Sequence, residues 1–201
     1  MAKRRIALFG GSFDPPHWGH FLLACDAREK FALDEVVFLP AARSPLKENS
    51  PIASGEDRLH WLETAIAGRS GLRVSDWELR QSGPSYSIET VRHWQTIEPT
   101  AELFWIIGAD QALSLPKWHR IEELLQQISF IVFPRPGQPE LSEETLPYSG
   151  SLFLLPGHHV NLSSSEIRER LRERKSLHFL VPENIRSYLE DYSLYQKPSI
   201  H

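Results

Sequence analysis

Short apolar segments alternate with segments of mixed polarity along most of the chain, and the apolar ones have the length of β-strands. In the first of them, Ile6 and Leu8 point to one side of an extended chain, and Ala7 and Phe9 to the other. Strands of this kind are predicted at residues 4–9, 35–39, 102–107, 128–133 and 152–155. Most of them are uniformly apolar, which is typical of strands that are largely buried.

The segments between the strands carry apolar residues at helical spacing. The sets that predict helices are Trp18, Phe21, Leu22 and Cys25, then Leu59, Leu62 and Ile66, then Ile88 and Val91, then Trp118, Ile121, Leu125 and Ile128. Further helices are predicted from Ser163 to Glu173 and from Pro182, in the first helical position, through Leu189. The alternation predicts an α/β fold: a Rossmann-like, doubly wound parallel sheet with C-terminal helices and a ligand crevice at the carboxyl ends of the strands.

Composition fits a single domain over residues 1–201, because 41% of the 201 residues are hydrophobic and 24% are charged. Cys25 is the sole cysteine, which excludes an internal disulfide, and the N-terminus lacks the apolar stretch of a signal peptide, so a cytoplasmic protein is expected. No apolar run is long enough to span a membrane, and a formal net charge of −4 argues against general binding to nucleic acids. Assembly into a homo-oligomer stays open.

Two loops are long for connections within a compact α/β domain. Residues 40–57 and 134–151 are rich in proline, glycine, serine and charged side chains. Loops of this length often act as lids or substrate clamps, which we favour for residues 43–47. For residues 138–150 we favour a disordered surface insertion.

The segment GGSFDPPHWGH, residues 10–20, carries the strongest indication of function. Gly10 and Gly11 lack side chains where the backbone would approach a ligand closely, and two prolines stiffen the exit from the turn. His17 and His20 then lie one turn apart at the start of a helix, beside amide groups without intrahelical partners. This arrangement predicts an anion site. The alternatives are histidines that only cap the helix and a zinc site, which would need further ligands.

A second helix start, LSSSEIRERL at residues 162–171, has two interpretations. As a structural element, Ser163 and Glu166 form a capping box and Ile167 lies on the buried face. That account leaves Arg168 unexplained, because a cation near the start of a helix is disfavoured by roughly a few tenths of a kcal/mol unless an anion is bound there. Together, the serine hydroxyls, the free amides and the guanidinium would form a pyrophosphate site.

These segments resemble elements of a known superfamily. The first closely resembles the GxFDPxHxGH signature of the nucleotidyltransferases, whose histidines contact the triphosphate of a nucleotide, and the second is similar to the ISSTxIR element that closes their nucleotide site. Further matches are a strand that ends in Gly108, Ala109 and Asp110 and the segments GPSYSIET (83–90), LPKWHR (115–120) and FPRPG (133–137). Together they resemble bacterial nicotinate-nucleotide adenylyltransferases over nearly the whole chain.

The resemblance implies transfer of the adenylyl group of ATP to nicotinate mononucleotide, with His17, His20 and Arg168 as catalytic residues. It also implies that the helical part at about 160–195 completes the ATP site. The implied ATP-binding residues are Gly10, Gly11, Ser12, Phe13, His20, Gly108, Asp110, Ser164, Ser165, Ile167 and Arg168. The implied mononucleotide-binding residues are Lys47, Tyr86, Ser87, Trp118 and Arg135. For Trp118, packing in the core is the alternative to stacking on the pyridinium ring.

The products implied by the resemblance are deamido-NAD and pyrophosphate. Mg²⁺ is expected to be bound with ATP, without dedicated protein ligands, and Asp14 is expected to be a turn or helix-start residue rather than a metal ligand. Within the same chemistry, nicotinamide mononucleotide or another phosphate acceptor, such as phosphopantetheine, is the alternative substrate. A nucleotide-sensing module without turnover is the alternative from another class.

Overall fold

Six parallel strands form one sheet in the order β3-β2-β1-β4-β5-β6. The structure is a computed structural model, and it describes residues 3–43, 50–134, 147–148, 150–155, 158 and 161–196. The strands are β1 (Arg5–Gly11), β2 (Glu35–Pro40), β3 (Leu72–Val74), β4 (Glu102–Gly108), β5 (Ser129–Phe133) and β6 (Leu152–Leu154). The helices are α1 (Trp18–Lys30), α2 (Gly55–Ile66), α3 (Ser87–Ile97), α4 (Ala109–Ser114), α5 (Ile121–Leu125), α6 (Ser164–Arg172), α7 (Glu183–Glu190) and α8 (Ser193–Gln196).

The two faces of the sheet are covered by different helices, as the doubly wound prediction requires. Ala7 and Phe9 of β1 belong to a core that includes residues of α1, α2, α6 and α7. Ile6 and Leu8 belong to a second core, formed with α3, α4 and α5. The alternation of side chains along a strand therefore assigns successive residues of β1 to opposite cores. The predicted fold class and the predicted sides of β1 are confirmed.

All five predicted strands are present, with ends within two residues of the predicted ones. The short edge strand β3 was not predicted. The predicted helix through Trp118 is wrong at both ends, because Trp118 follows a 3-10 turn, Leu115–Lys117, and the helix itself is α5. Arg120, in the left-handed conformation with φ of 56°, separates the two. Pro182 lies at the N-cap of α7, one residue before the predicted position.

The order of the strands reverses between β1 and β4. The chain moves outward from β1 to β2 and β3, then returns to pair β4 with the free side of β1. At such a reversal the connections after the two neighbouring strands leave in opposite directions and open a crevice at their carboxyl ends. Gly10, Gly11 and Gly108 lie at these two ends. The sheet therefore places the most informative sequence motif at the position where this fold binds ligands.

Among the residues that the structure describes, no helix is both long and apolar enough to cross a membrane. Residues 44–49 of the first long loop, and residues 135–146 and 149 of the second, lie outside the described residues. The predictions of a substrate clamp and a surface insertion there, and the roles of Lys47 and Arg135, stay predictions.

Candidate active site

A cavity of roughly 660 Å³ opens at the crevice between β1 and β4. Its walls come from the ends of both strands, from the start of α3, and from α4 with the 3-10 turn after it. The lining residues are Gly10, Gly11, Ser12, Ala41, Glu78, Ser85, Tyr86, Ser87, Trp105, Asp110, Gln111, Ser114, Lys117, Trp118 and His119. The volume suits a small organic ligand. Four residues predicted to bind ATP and three predicted to bind the mononucleotide thus line one cavity, whereas the predicted catalytic residues His17, His20 and Arg168 are not among its lining residues.

The two glycines at the end of β1 leave room for aromatic rings of the protein itself. A Cβ added to Gly10 would lie 3.0 Å from the Trp105 ring, and one added to Gly11 would lie 2.9 Å from the Phe13 ring. Neither glycine has a positive φ. Their small size is therefore already required by packing, and their predicted approach to a nucleotide stays a prediction.

The turn after β1 holds an unusual backbone conformation at Phe13, whose φ is 47°. A non-glycine residue there costs about 1–3 kcal/mol, so surrounding contacts must enforce it. The Phe13 ring is buried and meets the ring of His20 edge-on, with centroids 4.9 Å apart. Phe13 therefore supports a predicted catalytic histidine through packing.

His17 and His20 are stacked on each other at the start of α1, with ring centroids 3.7 Å apart. His17 is the N-cap residue, and its backbone N–H donates to Nδ1 of His20 over 3.2 Å. Because Nδ1 accepts, a neutral His20 ring carries its proton on Nε2, and we assign that tautomer from the hydrogen bond. A neutral histidine held in this way is a donor suited to a phosphate oxygen.

Helix α6 reaches the same turn from a distant part of the chain. The Ser164 hydroxyl donates to the carbonyl of Pro15 over 2.8 Å, and Arg168 Nη1 donates to the carbonyl of Asp14 over 2.6 Å. Nη2 of Arg168 donates to the Ser165 hydroxyl over 3.1 Å. The expected convergence of the histidine segment and the Ser163–Arg168 segment is therefore observed as direct contact between them.

These contacts revise the argument that Arg168 needs a bound anion. The guanidinium lies in the second turn of α6, donates to a backbone carbonyl, and is 3.9 Å from the Asp14 carboxylate. Ser163 accepts from the amide of Glu166 over 3.1 Å, as the capping prediction required. Ile167 has its side chain in the core and donates its N–H to Ser163, so its packing accounts for it without a ligand.

The opposite wall of the cavity carries the residues predicted to bind the mononucleotide. Tyr86 is the N-cap residue of α3, and Ser87 is its first residue. Trp118 packs edge-on against Trp105 and Phe130, with centroid distances of 6.4 and 6.0 Å. It also lines the cavity. The two interpretations of Trp118 are therefore compatible, since one part of the indole packs in the core while another faces the ligand space.

Eight lining residues of this cavity were not predicted from the sequence, and three of the eight have ionisable side chains: Lys117, His119 and Glu78. Lys117 and His119 flank Trp118, and the His119 ring packs on Tyr86 with centroids 4.6 Å apart. Glu78 is only 3% exposed, and its carboxylate accepts from the Thr90 hydroxyl over 2.8 Å. Burial raises the pKa of Glu78, while the hydrogen bonds from Thr90 and Ser85 oppose that rise. The motif LPKWHR contained a signal for the first two; nothing local marks Glu78.

Among the described residues, no group of three or more histidine, cysteine, aspartate or glutamate side chains is arranged to hold a metal ion. Cys25, the remaining candidate ligand near the histidines, is exposed on α1. Asp14 lies in the turn after β1, as expected, and is also a buried acceptor for several parts of the chain.

Comparison with known proteins agrees with this geometry. A family profile described as cytidylyltransferase-like matches residues 8–170. A probable nicotinate-nucleotide adenylyltransferase of Halalkalibacterium halodurans is 44% identical over 194 residues, covering 96% of this chain and 92% of the relative. One from Methylacidiphilum infernorum is 40% identical and covers 95% and 92%. The chain belongs to the nicotinate-nucleotide adenylyltransferase family.

Two solved structures have a fold similar to that of this chain. Plasmodium falciparum nicotinic acid mononucleotide adenylyltransferase, complexed with NaAD, has a TM-score of 0.75 and 20% identity, with 96% of this chain and 97% of that chain covered. A putative nicotinate-nucleotide adenylyltransferase from Vibrio parahaemolyticus has a TM-score of 0.69 and 21% identity, with coverage of 92% and 98%. At such identities the likeness concerns the fold, and the family assignment rests on the sequence relatives.

Proposed function

We propose that this protein transfers the adenylyl group of ATP to nicotinate mononucleotide, giving deamido-NAD and pyrophosphate. The observation that carries the proposal is the cavity at the β1–β4 reversal, whose lining runs from Gly10, Gly11 and Ser12, at the start of the histidine turn, to the wall formed by α3 and Trp118. Two substrates must meet in such a site, because the reaction joins their phosphates. Membership of the family supports the choice of these two substrates.

The nucleophile is the 5′-phosphate oxygen of the mononucleotide, which is ionised at neutral pH and needs no general base. It attacks the α-phosphorus of ATP in line, and the bond to the bridging oxygen of pyrophosphate breaks. The protein must align two anions and stabilise the charge that builds up in the transition state. We assign this charge stabilisation to His17 and His20, with Arg168 and the serines of α6 stabilising the departing pyrophosphate.

We assign the remaining predicted ATP-binding residues to contacts with the rest of the nucleotide. Ser12 and the two glycines of β1 line the cavity, and Asp110 follows β4, where a carboxylate can accept from ribose hydroxyls. We expect Mg²⁺ to arrive with the triphosphate. When bound, it would neutralise phosphate charge. A cytoplasmic location stays a prediction, and assembly into a homo-oligomer stays open.

The chemistry of the α3 wall favours the acid substrate over its amide. The first amides of α3, at Ser87 and Ile88, precede the intrahelical ladder and stand at the positive end of the helix dipole. A carboxylate accepts from such donors with both oxygens, whereas a carboxamide brings its own NH₂ donors towards them. Trp118 offers an indole face, on which a pyridinium cation stacks favourably.

The test is an assay of pyrophosphate release from ATP with nicotinate mononucleotide, nicotinamide mononucleotide and phosphopantetheine as parallel acceptors. We expect kcat/KM to be highest for the acid mononucleotide. Preference for the amide would replace the substrate but keep the reaction. Binding of ATP with no pyrophosphate release from any acceptor would indicate the nucleotide-sensing alternative and overturn the proposal.

A further inference from the structure

A buried polar network lies beneath the turn that carries the histidines, and the sequence motifs do not predict it. Its members are Asp14, Arg58 and Tyr195, which are 5%, 2% and 1% exposed. They come from the turn after β1, from α2 and from α8, near the end of the described chain. None of the three lines the cavity. The mechanism proposed above uses none of them.

Asp14 is the centre of this network. Its Oδ1 accepts from the Tyr195 hydroxyl over 2.5 Å and from the amide of Ala53 over 3.0 Å, and its Oδ2 accepts from the amide of Ile52 over 2.8 Å. Burial, and then the charge of Asp14, raise the pKa of Tyr195, so the phenol keeps its proton and is the donor. A buried carboxylate depends on such donors, because water does not replace them.

The network holds the backbone on both sides of the strained residue Phe13. Arg58 Nη1 donates to the carbonyl of Ser12 over 2.7 Å, and its Nε donates to the carbonyl of Ala53 over 3.3 Å. On the other side of Phe13, three hydrogen bonds hold the Asp14 side chain, and the backbone carbonyl of Asp14 accepts from Arg168 Nη1. The unfavourable φ at Phe13 is thus enforced by hydrogen bonds to its two neighbours.

We propose that Tyr195 is a positioning residue for the triphosphate site: by donating to Asp14, its hydroxyl fixes the turn that orients His20 and meets α6. The inference rests on the proposed function, in which this turn receives ATP. Loss of the hydroxyl leaves Asp14 Oδ1 with one donor fewer, so that the carboxylate is held less firmly, by the amides of Ile52 and Ala53. The turn would then relax, although Tyr195 itself touches no substrate.

Tyr192 supplies a matched control on the same C-terminal segment. Its hydroxyl donates to Asp57 Oδ2 over 2.7 Å, its ring lies 4.8 Å from that of Tyr195, and both rings pack on Trp61. Asp57 belongs to α2, and its side chain accepts from Tyr192 and from the Ser54 hydroxyl, neither of which belongs to the histidine turn. Removing the Tyr192 hydroxyl therefore loses a comparable bond without touching the phosphate site.

The experiment compares Tyr195→Phe with Tyr192→Phe, since each change deletes one oxygen and keeps the ring. We expect Tyr195→Phe to weaken binding of a non-hydrolysable ATP analogue and to lower kcat/KM for ATP by about tenfold, with KM for the mononucleotide changed less than twofold. Tyr192→Phe should leave the affinity for the ATP analogue, kcat/KM for ATP and KM for the mononucleotide within twofold of the wild-type values. Urea unfolding reports the stability of each variant.

The proposal is overturned if Tyr195→Phe binds and uses ATP like the wild type, if both substrates are affected equally, or if Tyr192→Phe shows the same selective loss. Calorimetric binding of the ATP analogue separates this question from the proposed function. A wild-type protein without transfer activity would contradict the proposed function. The comparison of analogue binding between the two variants would still decide the role of Tyr195.

Discussion

His20 is held by the protein on two sides, which defines how its ring meets a substrate. Its Nδ1 accepts from the backbone of His17, and its faces contact the rings of His17 and Phe13. We expect His20→Ala to lower kcat by about 10²–10³-fold, because a positioned donor to the transition state is lost. Steady-state kinetics on ATP with saturating mononucleotide measures the loss.

The control for this change is His60→Ala, which removes an exposed histidine from α2. It should leave kcat unchanged. A kcat for His20→Ala within threefold of the wild-type value, with the fold intact by circular dichroism, would remove His20 from the mechanism.

Trp118 combines a packing role with a predicted role in recognition, and two substitutions separate them. Leucine and phenylalanine both fill part of the space beside Trp105 and Phe130, but only phenylalanine keeps an aromatic face. Stacking on a cation contributes about 0.5–2 kcal/mol, so Trp118→Leu should raise KM for the mononucleotide by about 2- to 30-fold. Trp118→Phe should have a smaller effect, and KM for ATP should hardly change in either variant. Equal increases for both substrates would leave packing as the only role of Trp118.

The start of α6 depends on one capping side chain. Ser163 accepts from the amide of Glu166, and the helix that follows carries Arg168 to the histidine turn. Ser163→Ala should lower the free energy of unfolding by about 1 kcal/mol, because an N-terminal amide loses its partner. Urea denaturation measures the change.

Ser163→Asp is the matched variant, since aspartate is an equally good cap and its charge suits the positive end of the helix dipole. It should keep wild-type stability. A loss of stability in the aspartate variant as large as in the alanine variant would show that the hydroxyl does not act as a cap.

The secondary-structure elements were predictable where the local pattern determines them. Four of the five predicted strands are apolar runs that are mostly buried in the sheet, and their burial is what the pattern reports. The fifth, β6, is an edge strand in which only Leu152 is buried. Strand β3 has three half-buried residues, one of them Arg73, and such a short edge strand has no periodic signal. Trp118 had helical spacing to Ile121, but the left-handed Arg120 interrupts the helix, and propensity does not predict that break.

The candidate site was predictable where it consists of contiguous motifs and was missed where tertiary packing assembles it. The turn at residues 10–20 and the start of α6 were found from their own sequence, and their contact followed from the resemblance. Asp14 and Tyr195 are separated by 181 positions, and Asp14 and Ala53 by 39. No local signal connects such residues, because the sheet and the C-terminal helices bring them together only in the folded molecule.

The stability of the whole molecule should depend on pH through Glu78. Burial raises its pKa above the ordinary value of 4.5, so between pH 4.5 and the raised value the folded chain keeps a proton that the unfolded chain releases. Because the folded state binds more protons there, its free energy of unfolding falls as pH rises, by at most about 1.4 kcal/mol per pH unit from this group. Glu78→Gln removes this contribution. Relative to the wild type, the variant should therefore gain stability as pH rises from 4.5, and the gain should level off above the raised pKa.

Thr90→Val should shift the pKa of Glu78 further upwards, because valine keeps the volume of threonine but lacks the hydroxyl that donates to Glu78. That hydrogen bond opposes the rise in the pKa, so its loss should extend the pH range over which stability falls. Urea unfolding of the three proteins at half-unit steps between pH 4.5 and 8 compares them directly. If the free energies of unfolding of Glu78→Gln and the wild type differ by the same amount across this range, Glu78 has the same pKa in the folded and unfolded chains. In that case the buried carboxylate beside the cavity would contribute through its hydrogen bonds to Thr90 and Ser85, and its charge would not affect how stability varies with pH.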